Sequence, residues 1–105
     1  MSHEILQPLN RARPRGYASG IAAEGRQIFI SGQIGWNAEQ HFASDELAAQ
    51  VRQALANIVE VLACAGAAPE HLVRLTWYVT SREEHYASIE GIGNAYREVI
   101  GRHFP

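Results

Sequence analysis

Leu47, Val51, Leu55, Ile58 and Leu62 recur at spacings of three and four residues. That period places the apolar side chains on one face of an α-helix, with Glu46, Gln50, Gln53, Asn57 and Glu60 on the opposite stripe. Such a helix is stable only when its apolar face lies against another layer, so the remaining chain must supply one. Ser44 suits the N-cap, and Asp45 and Glu46 put negative charge in the first turn, where the helix dipole favours it. Gly66 is a stop signal, which predicts a helix from the Ser44 cap to about Cys64 or Ala65.

The covering layer is legible downstream. Leu72–Thr80, LVRLTWYVT, alternates with period two: Val73, Leu75, Trp77 and Val79 on one face, Arg74, Thr76, Tyr78 and Thr80 on the other. That pattern, rich in β-branched and aromatic residues, predicts a strand. A second apolar run, Ile28-Phe29-Ile30, opens the stretch QIFISGQIGWN over Gln27–Asn37. It reads as a strand buried on both faces, although periodicity does not separate it from a piece of buried helix. Its continuation turns small and polar at Ser31, Gly32, Gln33, Gly35 and Asn37. A strand delivering a hydroxyl and open amides into a glycine-bearing loop suits the floor of a small-molecule site. A strand followed by an ordinary turn explains the same residues. Tyr17–Ala23 reads as a weaker strand, and the turn Glu24-Gly25-Arg26 joins it to Gln27–Ser31 as a hairpin, which would pair Tyr17's strand with that of Ser31.

Ser81-Arg82-Glu83-Glu84 has capping-box spacing. Tyr86, Ile89, Ile92, Tyr96 and Val99 or Ile100 then carry a second helical stripe, interrupted slightly by Gly91 and Gly93 and stopped by Gly101. Met1–Arg15, with Pro8, Pro14 and three arginines, reads as an extended, solvated lead-in. The order is therefore two strands, helix, strand, helix: an α+β domain of three strands and two helices. So thin a sheet leaves strand faces open, and either a partner subunit or further chain must cover them.

Composition narrows the functions. A chain of 105 residues buries roughly two-thirds of its unfolded surface, enough for a core without staples. A net charge of −2 carries no global basic field, so a nucleic-acid partner is not expected. The single cysteine, Cys64, forms no internal disulfide, and no window has the length and apolarity of a membrane span or signal peptide. A cytoplasmic protein is expected. Cys64 itself reads as a small buried hydrophobe on the apolar helix. None of the five histidines pairs with another at i+3 or i+4, so no metal site is expected. No nucleophile elbow, phosphate loop or dinucleotide fingerprint is present. Trp36 and Trp77 could stack a planar ligand, although Trp77 on a regular strand face reads as core. From the residues alone, the candidate site lies near Tyr17 and Ser31, and no reaction follows from them.

Taken in order, RPRGYASGI (13–21), IFISGQIG (28–35), QVRQALANIVEVLACAGA (50–67), LVRLTWYVT (72–80) and AYREVIGRHFP (95–105) resemble the RidA (YjgF) family of reactive-intermediate imine and enamine deaminases. The resemblance covers nearly the whole chain. It implies a chorismate-mutase-like mixed sheet packed on two helices, in a homotrimer with a central barrel and a ligand cleft at each subunit interface. It implies hydrolysis of 2-imino or 2-enamino acids to 2-keto acids and ammonia, with water as the only co-reactant and no cofactor. Tyr17 matches the family's cleft tyrosine, Ser31 the serine of its SGQ segment and Gly32 the neighbouring glycine whose backbone lines the cleft. Gln33 and Ile34 continue that substrate-binding segment. Glu90 stands where the deaminases often have asparagine, and a carboxylate there would repel an anionic substrate. The deaminases also carry an arginine just beyond the Phe-Pro dipeptide, which grips the substrate carboxylate, and final strands with an acidic residue that positions water. Both lie beyond Pro105, and Arg13, Arg15 and Arg102 are the remaining candidate anchors. The expectation is of part of a longer protein, since loss of those strands would open the sheet's edge. The alternative is a naturally shortened, non-catalytic or differently specific metabolite binder. A ribonuclease or translation-inhibitor role, sometimes attached to the family, is left open.

Overall fold

The computed structural model describes residues 3–105; Met1 and Ser2 of the predicted lead-in lie outside the described residues. The elements follow in the order β1 (His3–Leu6), β2 (Gly20–Ala23), α1 (Leu47–Cys64), a 3-10 turn (Pro69–His71), α2 (Arg82–Ala87) and α3 (Ile89–Val99). The chain is α+β, as its patterning predicts, but its sheet and helix ends differ from the expectation in informative ways.

The lead-in contributes a strand. β1 pairs antiparallel with β2, from His3 opposite Ala23 to Leu6 opposite Gly20. The long connection between them is gathered by one side chain. Gln7 Nε2 donates to the carbonyls of Pro8, Arg11 and Ala12 at 3.2, 3.0 and 3.4 Å, and Gln7 Oε1 accepts from the Ser19 hydroxyl at 3.2 Å. β2 therefore takes β1 as its partner instead of the predicted Gln27–Ser31, and Tyr17 precedes β2 without pairing. Neither Gln27–Ser31 nor Leu72–Thr80 joins a ladder among the described residues. A strand needs a neighbouring strand's N–H and C=O groups, and among the described residues none pairs with these two segments. Of the expected apolar face only Leu75 packs on the core; Val73, Trp77 and Val79 are exposed, as is Tyr78 on the other face, because no neighbouring strand fixes the segment's orientation.

α1 begins later than its sequence suggests. Glu46 holds the N-cap position with no side-chain cap. The Ser44 hydroxyl instead accepts from the Glu46 N–H at 3.0 Å, closing a turn ahead of the helix, so Asp45 and Glu46 precede the first turn. The other end stops at Gly66, whose φ of +71 suits glycine. Ala67 N–H donates to the Leu62 carbonyl at 2.9 Å and Gly66 N–H to that of Ala63 at 3.0 Å, a Schellman closure. The Arg26 guanidinium donates to the Ala65 carbonyl at 2.7 Å, placing a cation at the negative end of the helix.

The predicted second helix is two. The Ser81 hydroxyl accepts from Glu84 N–H at 3.1 Å and opens α2. The break then falls at Ser88, whose N–H is shared between the carbonyls of Glu84 and His85, and both Gly91 and Gly93 sit inside α3. Ile92 and Tyr96 are buried, whereas Tyr86 stands in solvent.

The core lies between α1 and α3. Val51, Leu55 and Leu62 pack with Leu72, Ile92, Tyr96 and Ile100, and Ile58 joins them half-buried. The helices meet closely because Gly91 has no side chain: a Cβ there would lie 3.0 Å from that of Ala48. Cys64, expected in this core, is exposed, because Leu55 and Leu62 define a face of α1 that does not include it.

Candidate functional site

Ile89, Ile92 and Tyr96, spaced by three and four residues on α3, form one wall of a cleft of about 370 Å³. Leu75 and Trp77, two residues apart on the extended segment, continue the lining. Gly16 and Tyr17 and, beside Tyr96, Phe104 and Pro105 complete it. None of the lining side chains carries a formal charge.

The rings are held by the chain's last residues. Tyr96 donates its hydroxyl proton to the His103 carbonyl. His103 Nε2 in turn donates to the Leu72 carbonyl at 2.6 Å, which fixes the imidazole tautomer as Nε2–H. Phe104 stacks on Tyr96 with centroids 5.2 Å apart and planes 14° from parallel, and Trp77 stands 6.4 Å from Tyr96 at 33°. Burial raises the Tyr96 phenol above its ordinary value, so it remains a donor at neutral pH. The Tyr17 hydroxyl, 60% exposed as a residue, has no partner among the described residues.

Of the residues predicted from sequence, the cleft takes in Tyr17 and leaves the others elsewhere. Ser31 is exposed, and its carbonyl accepts from Gln33 Nε2 at 3.1 Å. Gly32 faces open space, with no heavy atom within 4 Å of where its Cβ would be. Gln33 is half-buried and Ile34 exposed. Glu90 is exposed in the first turn of α3, beside the cleft residue Ile89 but not lining the cleft. Arg13, Arg15 and Arg102 are exposed and outside the lining.

The loop after Ile30 is anchored to α1. Asn57 Nδ2 donates to the carbonyls of Ile34 and Trp36, both at 3.0 Å, and Gln53 Nε2 orients it by donating to Asn57 Oδ1 at 2.9 Å. Gly35 lets the loop lie on the helix: a Cβ there would stand 2.7 Å from that of Gln50. Sequence reasoning placed Asn57 and Gln53 on the solvent stripe and read Trp77 as core. It did not assign Leu75, Tyr96 or Phe104 to a site. The available signal was that Ile89, Ile92 and Tyr96 share a helical stripe while Leu75 and Trp77 share a strand face.

The Endoribonuclease L-PSP family model matches residues 10–105. A crystal structure of YyfB from Yersinia pestis, a protein of unknown function in the conserved Rid family, superposes with a TM-score of 0.71 at 28% identity. The match covers 99% of this chain and 77% of that one. No curated protein matches the chain significantly. The sequence segments, the helical layer beneath the SGQIG loop and a family match over nearly the whole length agree: the chain belongs to the L-PSP (YjgF/RidA) family.

Proposed function

We propose that this chain binds a small, largely apolar metabolite in the Tyr17–Tyr96 cleft, with a specificity different from that of the imine deaminases. The observation that carries this reading is the uncharged aromatic and aliphatic lining. These side chains favour an apolar guest over a carboxylate, whose desolvation needs a cationic partner that they do not themselves supply. The test is to generate 2-iminobutanoate with a dehydratase and follow its loss by semicarbazide trapping. Weak acceleration or none is expected; strong acceleration would overturn this reading in favour of the second.

The second reading is hydrolytic deamination of 2-imino or 2-enamino acids to 2-keto acids and ammonia. Family membership and the open space above Gly32 favour it. In it the working unit is a cytoplasmic homotrimer, with Tyr17 closing over the substrate and Ser31 and the Gly32 backbone binding it. Gln33, Ile34 and Glu90 would complete the surroundings. The exposed side chains of Phe29 and Tyr78, on segments without ladder partners, are the surfaces such an assembly would cover. This reading also takes the family's closing strands and carboxylate-binding arginine to lie outside these 105 residues. Sedimentation tests the assembly: a trimer at micromolar concentration is expected, and a well-folded monomer would sink it.

A further inference from the structure

We infer that Arg97 is an anion-binding residue at the edge of the cleft, and that the guest is an apolar body ending in one carboxylate. The body lies in the hollow, and the carboxylate meets the Arg97 guanidinium beside Gly93. This rests on the reading of the cleft as a ligand site and adds the chemical class and orientation of the ligand.

The cation sits where Gly93 leaves room. Gly91, the other glycine of α3, is small because Ala48 of α1 is close. At Gly93 the three atoms nearest to where a Cβ would stand all belong to the Arg97 guanidinium: Nη1 at 3.3 Å, Nη2 at 3.7 Å and Cζ at 3.8 Å. Glycine weakens a helix interior relative to alanine, and here the space it leaves is taken by a cation and not by a neighbouring helix. Arg97 lies one turn after Gly93, and a long helical side chain leans back over the residue four before it. Gly93 itself lines the cleft, so the guanidinium abuts the lining without being part of it.

That cation is held in place without being neutralised. Arg97 Nη2 donates to the side-chain oxygen of Asn94, an uncharged partner. Of the acidic residues on the same helix, Glu98 pairs with Arg52 of α1, and among the described residues no ion pair joins Arg97 to Glu90 or Glu98. The guanidinium keeps further N–H donors, in the planar fork that fits a carboxylate. One guanidinium balances one negative charge, which suits a carboxylate better than a phosphate dianion. Because the hollow's own side chains are uncharged, the acidic group stays at the edge, partly hydrated, while the apolar body lies against Leu75, Trp77, Ile89 and Ile92.

Pentanoate and 1-butanol carry the same butyl chain and differ in the charge at its end. Each is titrated into the folded protein while the Trp77 indole N–H signal is followed by NMR, with that of Trp36, outside the lining, as the internal control. Expected is a saturable Trp77 shift with both probes, little change at Trp36, and about fivefold tighter binding of pentanoate at low salt. Arg97→Gln, a neutral change at an exposed residue, should weaken pentanoate about fivefold and leave 1-butanol within about twofold. Arg97→Lys, which keeps the charge, should retain part of the preference, an outcome that a purely structural role would not produce. Pentanoate binding no tighter than 1-butanol, or a preference that survives Arg97→Gln, overturns the assignment to Arg97 but leaves the cleft as a ligand site. No Trp77 shift with either probe overturns both.

Discussion

The Tyr17–Tyr96 cleft and the Ser31–Gly35 loop both invite a ligand, but by opposite means. The cleft is built from four separate stretches, held in place by Tyr96, His103 and the Leu72 carbonyl. The loop offers backbone and small residues, and what holds it is Asn57 on α1 beneath it. Its two glycines differ in role: Gly35 is small because the helix is close, whereas Gly32 faces open space. A glycine-bearing loop therefore has two distinct uses of smallness, and only the second leaves room for a guest. Within one chain the cleft is a half-open hollow lined by uncharged side chains; the loop is exposed and needs another surface to become a pocket.

The comparison can be broken from its shared base first. Leu55, 3% exposed, packs α1 into the core that supports cleft and loop together. Leu55→Ala should cost about 2–5 kcal/mol in urea unfolding. A cost below about 0.5 kcal/mol would mean that the helix does not carry this core. The glycine pair comes next. Gly35→Ala drives a Cβ into Gln50, including its Cα at 2.8 Å, and should cost about 1–3 kcal/mol. Gly32→Ala should change stability by less than about 0.5 kcal/mol, and equal costs at the two positions would erase the distinction.

Asn57→Ala removes two hydrogen bonds to the loop and should cost about 1–2 kcal/mol, with faster amide exchange confined to the loop. Unchanged exchange there would show that the loop is held by something else. The smallest effect concerns the cleft's own polar contact. The folded Tyr96 phenol titrates above its ordinary 10.0, so its contribution is complete below about pH 10 and is lost as pH rises through the folded value. Tyr96→Phe should flatten the alkaline fall in stability; an unaltered slope would remove Tyr96 as its source.

Much of this was legible in the chain. The Leu47–Leu62 stripe, Gly66 and Gly101 mark local physics, periodicity and positive φ, and local physics needs no knowledge of neighbours. Pairing is different. Ile28–Ile30 and Leu72–Thr80 have strand composition, but a ladder depends on which backbone lies alongside, and β2 pairs with β1. Ser44 was ambiguous because its hydroxyl serves a turn as readily as a cap. Tyr17 was singled out through resemblance and through a hairpin with Gln27–Ser31 that does not form, and it lines the cleft by another route. Trp77, Tyr96 and Phe104 were not joined into a site, because their proximity is made by the folded-back tail, which no period encodes.

The most direct measurement is a set of intermolecular nuclear Overhauser contacts from the methyl protons of a bound small apolar probe, 1-butanol, to assigned protein protons. Contacts to Trp77, Tyr96 and Ile92, absent from Ser31 through Ile34, are the predicted result. Contacts confined to Ser31 through Ile34, with none to Trp77 or Tyr96, would contradict the account and move the site to the loop.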